Sequence, residues 1–374
     1  MFVSNCDLFS LATKGVQSLS PYQAGKPIDE LKREYGVSDV IKLASNENPL
    51  GPSAKVVSAL QAELTELARY PDGNAFSLKA ALAKKHSVDI EQITIGNGSN
   101  DILEILTRAF VTPEHEIIFS QHAFAVYPIV TQAVGAKAVV VPAKNWGHDL
   151  DAMQKAITGK TRLIFIANPN NPTGTWLGRK ELSSFLQAVP DNVLVVLDEA
   201  YFDFANDDFS AEDYPNGIEW IKNHSNLIVT RTFSKAYGLA GLRVGYSISH
   251  PDIADILNRV RQPFNVNSLA LRAAEVALED IDYLESGLKL NSQGMSQLIT
   301  AFEELKLSYI PSVGNFICVN VGANAMKVYD ELLYEGVIVR PVANYEMPEY
   351  LRITIGTENE NERFITALHK VLHK

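Results

Sequence analysis

The sequence predicts an α/β protein: a large, mostly parallel seven-stranded sheet with helices on both faces, joined to a smaller α+β part. Three observations carry this. Short β-branched runs alternate with amphipathic segments from Gln92 to Ser249, the pattern of a parallel sheet wrapped by helices. Clusters of Asn, Gly, Asp and Lys follow one predicted strand after another, where open α/β sheets gather their ligands. After Pro263 the alternation stops and a long helical stretch begins.

In chain order, residues 1–45 are mixed, with a helix expected over 27–35 and a short strand over 40–43. The segment SNENPLGP at 45–52 is dense in turn formers and side-chain amides, so it reads as a loop. A helix is expected over 53–68, and RYPDGN at 69–74 breaks it. Strands are predicted at 92–96, 116–120, 137–142, 162–167, 193–197, 227–230 and 243–249, with amphipathic helices between them such as 101–110 and 179–189. The stretch 268–305 has few breakers and reads as one long helical region. Strands at 315–321, 337–340 and 351–355, a helix over 325–335 and a terminal helix from Glu360 complete the chain.

At 374 residues the chain exceeds one small core, and two domains are expected. The boundaries assigned are 46–265 for a large cofactor-binding domain, with 1–45 and 266–374 forming a small domain and N-terminal arm. A hydrophobic content of 46% and a charged content of 21% belong to a folded chain. The net charge of −11 offers no basic face to nucleic acid, though it is compatible with a local pocket for a small phosphate. The two cysteines, Cys6 and Cys318, lie far apart without ligand spacing, so neither a disulfide framework nor a metal site is expected. No secretory signal and no bilayer-length apolar run is evident, and a cytoplasmic location without membrane contact is the expectation.

The polar clusters are specific. Gly96–Asp101 (GNGSND) opens a helix, where glycines and free N–H groups suit an anion. Phe124 and Tyr127 follow the second strand, Asn168–Gly174 (NPNNPTG) the fourth, Asp198–Tyr201 (DEAY) the fifth, and Ser234-Lys235 the sixth. One cleft lined by all five is expected. Lys235 stands among Thr232, Ser234 and Arg243, a grouping suited to a phosphorylated aldehyde: an amine to bond the carbonyl, hydroxyls and a guanidinium for the phosphate. The glycine turn is no dinucleotide fingerprint. Asp101 takes the third glycine position, and Phe119-Ser120-Gln121 offers no acid for a ribose.

Taken together, SNENPLGP, GNGSND, NPNNPTG, DEAY, TRTFSKAYGLAGLR (230–243) and LRITIG (351–356) resemble the fold-type I pyridoxal-phosphate-dependent aminotransferases, and within them the histidinol-phosphate aminotransferase family. The resemblance implies pyridoxal 5′-phosphate as cofactor. Lys235 then corresponds to the lysine that bonds the cofactor and moves the proton, Asp198 to the partner of the pyridine nitrogen, and Asn171 and Tyr201 to the partners of the phenolic oxygen. Phe124 stands where the family stacks an aromatic ring. Thr232, Ser234, Arg243, Ser99 and Asn100 match the phosphate cradle, and Tyr70 matches a tyrosine that reaches the phosphate from the other subunit of a homodimer.

On the substrate side, Arg352 resembles the arginine that holds a donor's carboxylate, and Arg340 the one relatives use for the substrate's phosphate. Tyr22 and Asn46 match residues closing the pocket. The implied reaction is ping-pong exchange between L-histidinol phosphate and 2-oxoglutarate. Phenylalanine or tyrosine as donor stays open, since Phe124, Tyr127 and Tyr22 together suit an aromatic side chain. A decarboxylase of a phosphorylated amino acid such as threonine phosphate stays open as well, as it shares the fold.

Overall fold

The computed structural model describes residues 6–21, 25–207, 211 and 213–373. A two-residue strand β1 (Ile41–Lys42) precedes the main sheet, built from β2 (Ile93–Gly96), β3 (Glu116–Ser120), β4 (Lys137–Val141), β5 (Thr161–Ala167), β6 (Leu194–Asp198), β7 (Leu227–Thr232) and β8 (Gly245–Ile248). Later come β9 (Tyr309–Ile310), β10 (Phe316–Asn320), β11 (Val337–Ile338), β12 (Arg340–Pro341) and β13 (Tyr350–Thr354).

The seven strands lie in the order β2-β8-β7-β6-β5-β3-β4. Neighbours from β7 to β4 are parallel, while β8 runs antiparallel to both β7 and β2. Successive side chains of a strand face opposite sides, and both sides are apolar here. Ile118, Ile164, Ile166, Val195, Leu197 and Val229 face one core, together with Leu78, Leu182, Phe185 and Ala270 from helices. Ile117, Phe119, Leu163, Phe165, Val196 and Ile228 face the other, with Ile102, Leu106, Tyr127 and Leu257. Continuous apolar runs are what a doubly covered sheet requires, which is why these strands stand out in the sequence.

A four-stranded antiparallel sheet, β12-β13-β10-β9, and the parallel pair β1-β11 form a second centre. Its core includes Leu43, Leu298, Phe302, Ile317, Leu332, Leu351, Phe364 and Leu368. Three expectations need correction. The helical region 268–305 is two helices, Ser268–Glu279 and Ile281–Glu304, meeting at Asp280; the buried Asp280 leaves helical geometry and takes the Lys55 ammonium at 2.7 Å. The strand expected over 337–340 is two strands, because Ile338 pairs with Lys42 while Arg340 pairs with Arg352. The strand expected to begin at Arg243 begins at Gly245, since Arg243 adopts a left-handed conformation at φ 57°.

Candidate active site

The carboxyl ends of β5, β6 and β7 meet a cavity of about 180 Å³. Its lining includes Ser45, Asn46, Ser99, Asn100, Phe124, Asn171, Asp198, Tyr201, Thr232, Ser234, Lys235, Arg243, Arg340 and Arg352, nearly every position singled out from sequence. Because β8 is antiparallel, its beginning lies at this same edge, with Gly245 opposite both Thr232 and Gly96. That reversal brings Arg243 to the cavity.

Asp198 ends β6 and is buried, with 4% of its surface exposed. Thr230 is its register partner on β7 and donates from Oγ1 to Oδ1 at 3.1 Å; Tyr127 Oη donates to Oδ2 at 2.9 Å. Burial pushes the carboxyl above its ordinary range, and the two hydroxyls pull it back. The neighbouring Glu199 has a different task. It faces away, accepts from Arg231 at 2.6 Å and from the Gly217 N–H at 2.8 Å, and fixes the turn after β6.

Lys235 lies three residues past β7, and its Nζ donates to the Ser45 carbonyl at 3.0 Å. Burial lowers its amine to about 7, helped by Arg352, Arg243 and Lys42 and opposed by Glu47. Tyr201 Oη accepts from Asn46 Nδ2 at 2.8 Å and from Asn171 Nδ2 at 3.0 Å. Burial raises this phenol to about 12, so it is neutral and able to donate. Asn171 turns its oxygen the other way and accepts from Arg352 Nη1 at 2.5 Å, while Arg352 Nη2 donates to the Ala44 carbonyl at 2.8 Å. The buried Nε of Arg352 has no acceptor among the described residues. Arg340 faces Arg352 in register across β12 and β13, which sets both side chains on one face of the sheet.

The glycine turn after β2 has a steric reason for its composition. Gly98 is left-handed at φ 80°, and a Cβ there would run into the Arg243 guanidinium; a Cβ on Gly245 would meet the Ser99 backbone nitrogen at 2.5 Å. Ser99 opens the helix Ser99–Phe110 at the cavity edge, and the free N–H groups of a helix start suit an anion. Arg243 Nη1 donates to Ser234 Oγ at 3.3 Å, closing the other side.

A model of the class I and II aminotransferases matches residues 38–368. Histidinol-phosphate aminotransferase 2 of Pseudomonas fluorescens is 62% identical over 368 residues, spanning 98% of each chain. The chain belongs to the histidinol-phosphate aminotransferase family. Histidinol-phosphate aminotransferase 1 of Idiomarina loihiensis is 60% identical, spanning 96% of this chain and 97% of its own. Among solved structures, the histidinol-phosphate aminotransferase of Sinorhizobium meliloti in complex with pyridoxal-5′-phosphate superposes with a TM-score of 0.87 at 29% identity, over 96% of this chain and 97% of that one.

Some expected residues sit elsewhere. Tyr127 was expected beside a substrate side chain, but it is fully buried, stacks on Phe165 at 4.5 Å and turns its hydroxyl to Asp198. Asn168 is inside the fold, where its amide brackets both backbone groups of Leu177. Tyr70 is 82% exposed and stacks on Phe264 at 4.7 Å, away from the cavity of its own chain. Tyr22 lies outside the described residues. Sequence reasoning passed over Thr230, Ser45 and Thr354, whose roles depend on register: Thr354 Oγ1 accepts the Asn46 N–H at 2.9 Å, holding Asn46 at φ 55°.

Proposed function

We propose that this protein transfers the amino group of L-histidinol phosphate to 2-oxoglutarate, with pyridoxal 5′-phosphate bound in the cavity. The residues fit that cofactor on three counts. Asp198 is a buried carboxylate whose side-chain donors are neutral hydroxyls, an environment completed by a protonated pyridine nitrogen. The turn at Gly98, with Ser99, Asn100, Thr232, Ser234 and Arg243, supplies N–H, hydroxyl and guanidinium groups for a phosphate. Lys235 carries an amine lowered to about 7, so a large share is neutral and nucleophilic near neutral pH. When bound, the cofactor supplies an aldehyde for the amino group and an electron-withdrawing ring for the electrons released at Cα.

Each side chain then has a task. Phe124 would cover one face of the ring, and Asn171 and Tyr201 would hold its phenolic oxygen. Asp198 keeps the ring nitrogen protonated. Lys235 Nζ would take the proton from the substrate Cα and hand it to the carbon that was the cofactor's aldehyde carbon. Asn46 closes the substrate end.

The pairing of Arg340 with Arg352 carries the choice of substrate. Both arginines line the cavity, and two guanidiniums presented from register-paired positions form a grip for an anion. L-histidinol phosphate bears its phosphate ester on the carbon that is the carboxylate in an amino acid, so the two guanidiniums receive a phosphate in one half reaction and the carboxylates of 2-oxoglutarate in the other. The aromatic-donor reading drew on Phe124, Tyr127 and Tyr22 together; Phe124 lines the cavity, while the Tyr127 ring is stacked on Phe165.

A steady-state assay of cofactor-loaded protein tests this. Histidinol phosphate with 2-oxoglutarate should give parallel double-reciprocal lines, and phenylalanine and tyrosine should be poor donors. Turnover of phenylalanine with none of histidinol phosphate sinks the proposal. Carbon dioxide release without a keto acid points to a decarboxylase instead.

We further propose a homodimer in which Tyr70, exposed in its own chain, reaches the phosphate in the partner's cavity. The domain division is proposed to fall at Asp280 in place of residue 265, because Ala270, Leu271, Ala274 and Leu278 pack into the core of the large sheet. The compartment is taken to be the cytoplasm, since so charged a phosphate ester stays behind the membrane where it is made.

A further inference from the structure

Tyr127 touches both groups between which the cofactor ring is proposed to lie. Its Oη donates to Asp198 at 2.9 Å, and Phe124 stands edge-on to its ring at 5.8 Å and 87°. The ring has little freedom: it is 0% exposed and lies flat on Phe165, with centroids 4.5 Å apart and planes within 6°. Thr131 Oγ1 donates to the Tyr127 carbonyl at 2.7 Å, pinning the same turn of helix. We propose that Tyr127 is a positioning residue, which fixes the Asp198 carboxylate against the Phe124 ring and holds that carboxylate ionised toward the pyridine nitrogen. This rests on the cofactor reading given above.

The chemistry follows from what burial does to an acid. Out of water a carboxyl favours its neutral form, and only donors to its oxygens keep it anionic. A neutral carboxylic acid would leave the ring nitrogen without its proton. The groups that act on Asp198 by contact or by charge are Tyr127 from the helix after β3, Thr230 from β7, the Ala200 N–H, Tyr201 and the outward-turned Glu199 of its own turn, and Tyr214. Glu199 is countered by Arg231 at 2.6 Å. Besides the Ala200 N–H, which also donates to this carboxylate, the side-chain donors are the hydroxyls of Tyr127 on Oδ2 and Thr230 on Oδ1.

Tyr127→Phe removes one donor and leaves both ring contacts. The Asp198 carboxylate then takes a larger share of the proton it exchanges with the ring nitrogen. With less positive charge on the ring, the lysine-linked end of the conjugated system keeps its own proton to higher pH. The test compares cofactor-loaded wild type, Tyr127→Phe and Leu182→Ala, the last a buried residue in the core on the opposite face of the sheet, by the pH midpoint of the visible absorption band, by kcat and KM, and by thermal unfolding. In Tyr127→Phe the midpoint should rise by about one pH unit and kcat should fall roughly tenfold, with KM changed little. Leu182→Ala should lower the unfolding temperature without moving the midpoint. A wild-type midpoint and kcat in Tyr127→Phe, or an equal shift in Leu182→Ala, overturns the positioning role. Absence of a visible band in the wild type would instead remove the cofactor reading, and this proposal with it.

Discussion

Lys235 is poised by its surroundings more than by its identity. A lysine in water is almost wholly charged at neutral pH, whereas here burial and three neighbouring cations bring the amine to about 7. Protonation returns as pH falls through that value, so the rate at which cofactor-free protein captures pyridoxal phosphate should drop about tenfold per unit well below pH 7. Stopped-flow absorbance across pH 5–9 measures this, and a flat profile contradicts the lowered amine. Lys235→Ala should abolish transamination while circular dichroism stays that of the wild type; a fully active variant overturns the whole assignment. Lys235 and Asp198 were legible in the sequence because each follows an apolar β-rich run and brings chemistry that a turn alone has no use for. Tyr127 was legible only as an aromatic. Its ring packs on Phe165 of β5, a contact distant in sequence from the helix that carries Tyr127.

At the scale of elements, the turn after β2 and the start of β8 depend on each other. A Cβ at Gly245 would meet three backbone neighbours, Ser99 N, Gly98 C and Arg231 O, at 2.5, 2.9 and 3.0 Å, none of which can rotate away. Gly245→Ala should therefore cost about 1–3 kcal/mol of stability and weaken cofactor binding several-fold, measured by denaturant unfolding and by fluorescence titration. All seven main strands could be read because both faces of the sheet are buried and the runs are continuously apolar. The helix Phe76–His86 was passed over, since only Leu78 and Leu82 are buried in a stretch rich in lysine and alanine. The division of 337–340 into β11 and β12 was hidden for a different reason: adjacent residues choose different partners, and pairing leaves no local mark.

At the scale of the molecule, the cavity lies between two separately built sheets and is stitched by hydrogen bonds across them. Arg352 of β13 reaches Asn171 of the large sheet, Asn46 reaches Tyr201, and His122 Nδ1 bonds the Tyr345 carbonyl at 2.7 Å. The proposed dimer adds a third contributor. Tyr70→Ala should weaken cofactor binding several-fold while the fold of each protomer stands. Mixing it with a Lys235→Ala variant should restore one functional site per heterodimer, which activity against mixing ratio reads out; strictly additive activity contradicts the shared site. The antiparallel setting of β8 has a consequence for how such a site can vary. The loop that carries Lys235 and Arg243 leaves and re-enters the sheet at paired residues, Thr232 and Gly245, so it is a closed cassette with both ends moored. Adding or removing residues between its lysine and its arginine would reset the span from nucleophile to anion grip, and so the length of ligand accommodated, while the rest of the sheet kept its register.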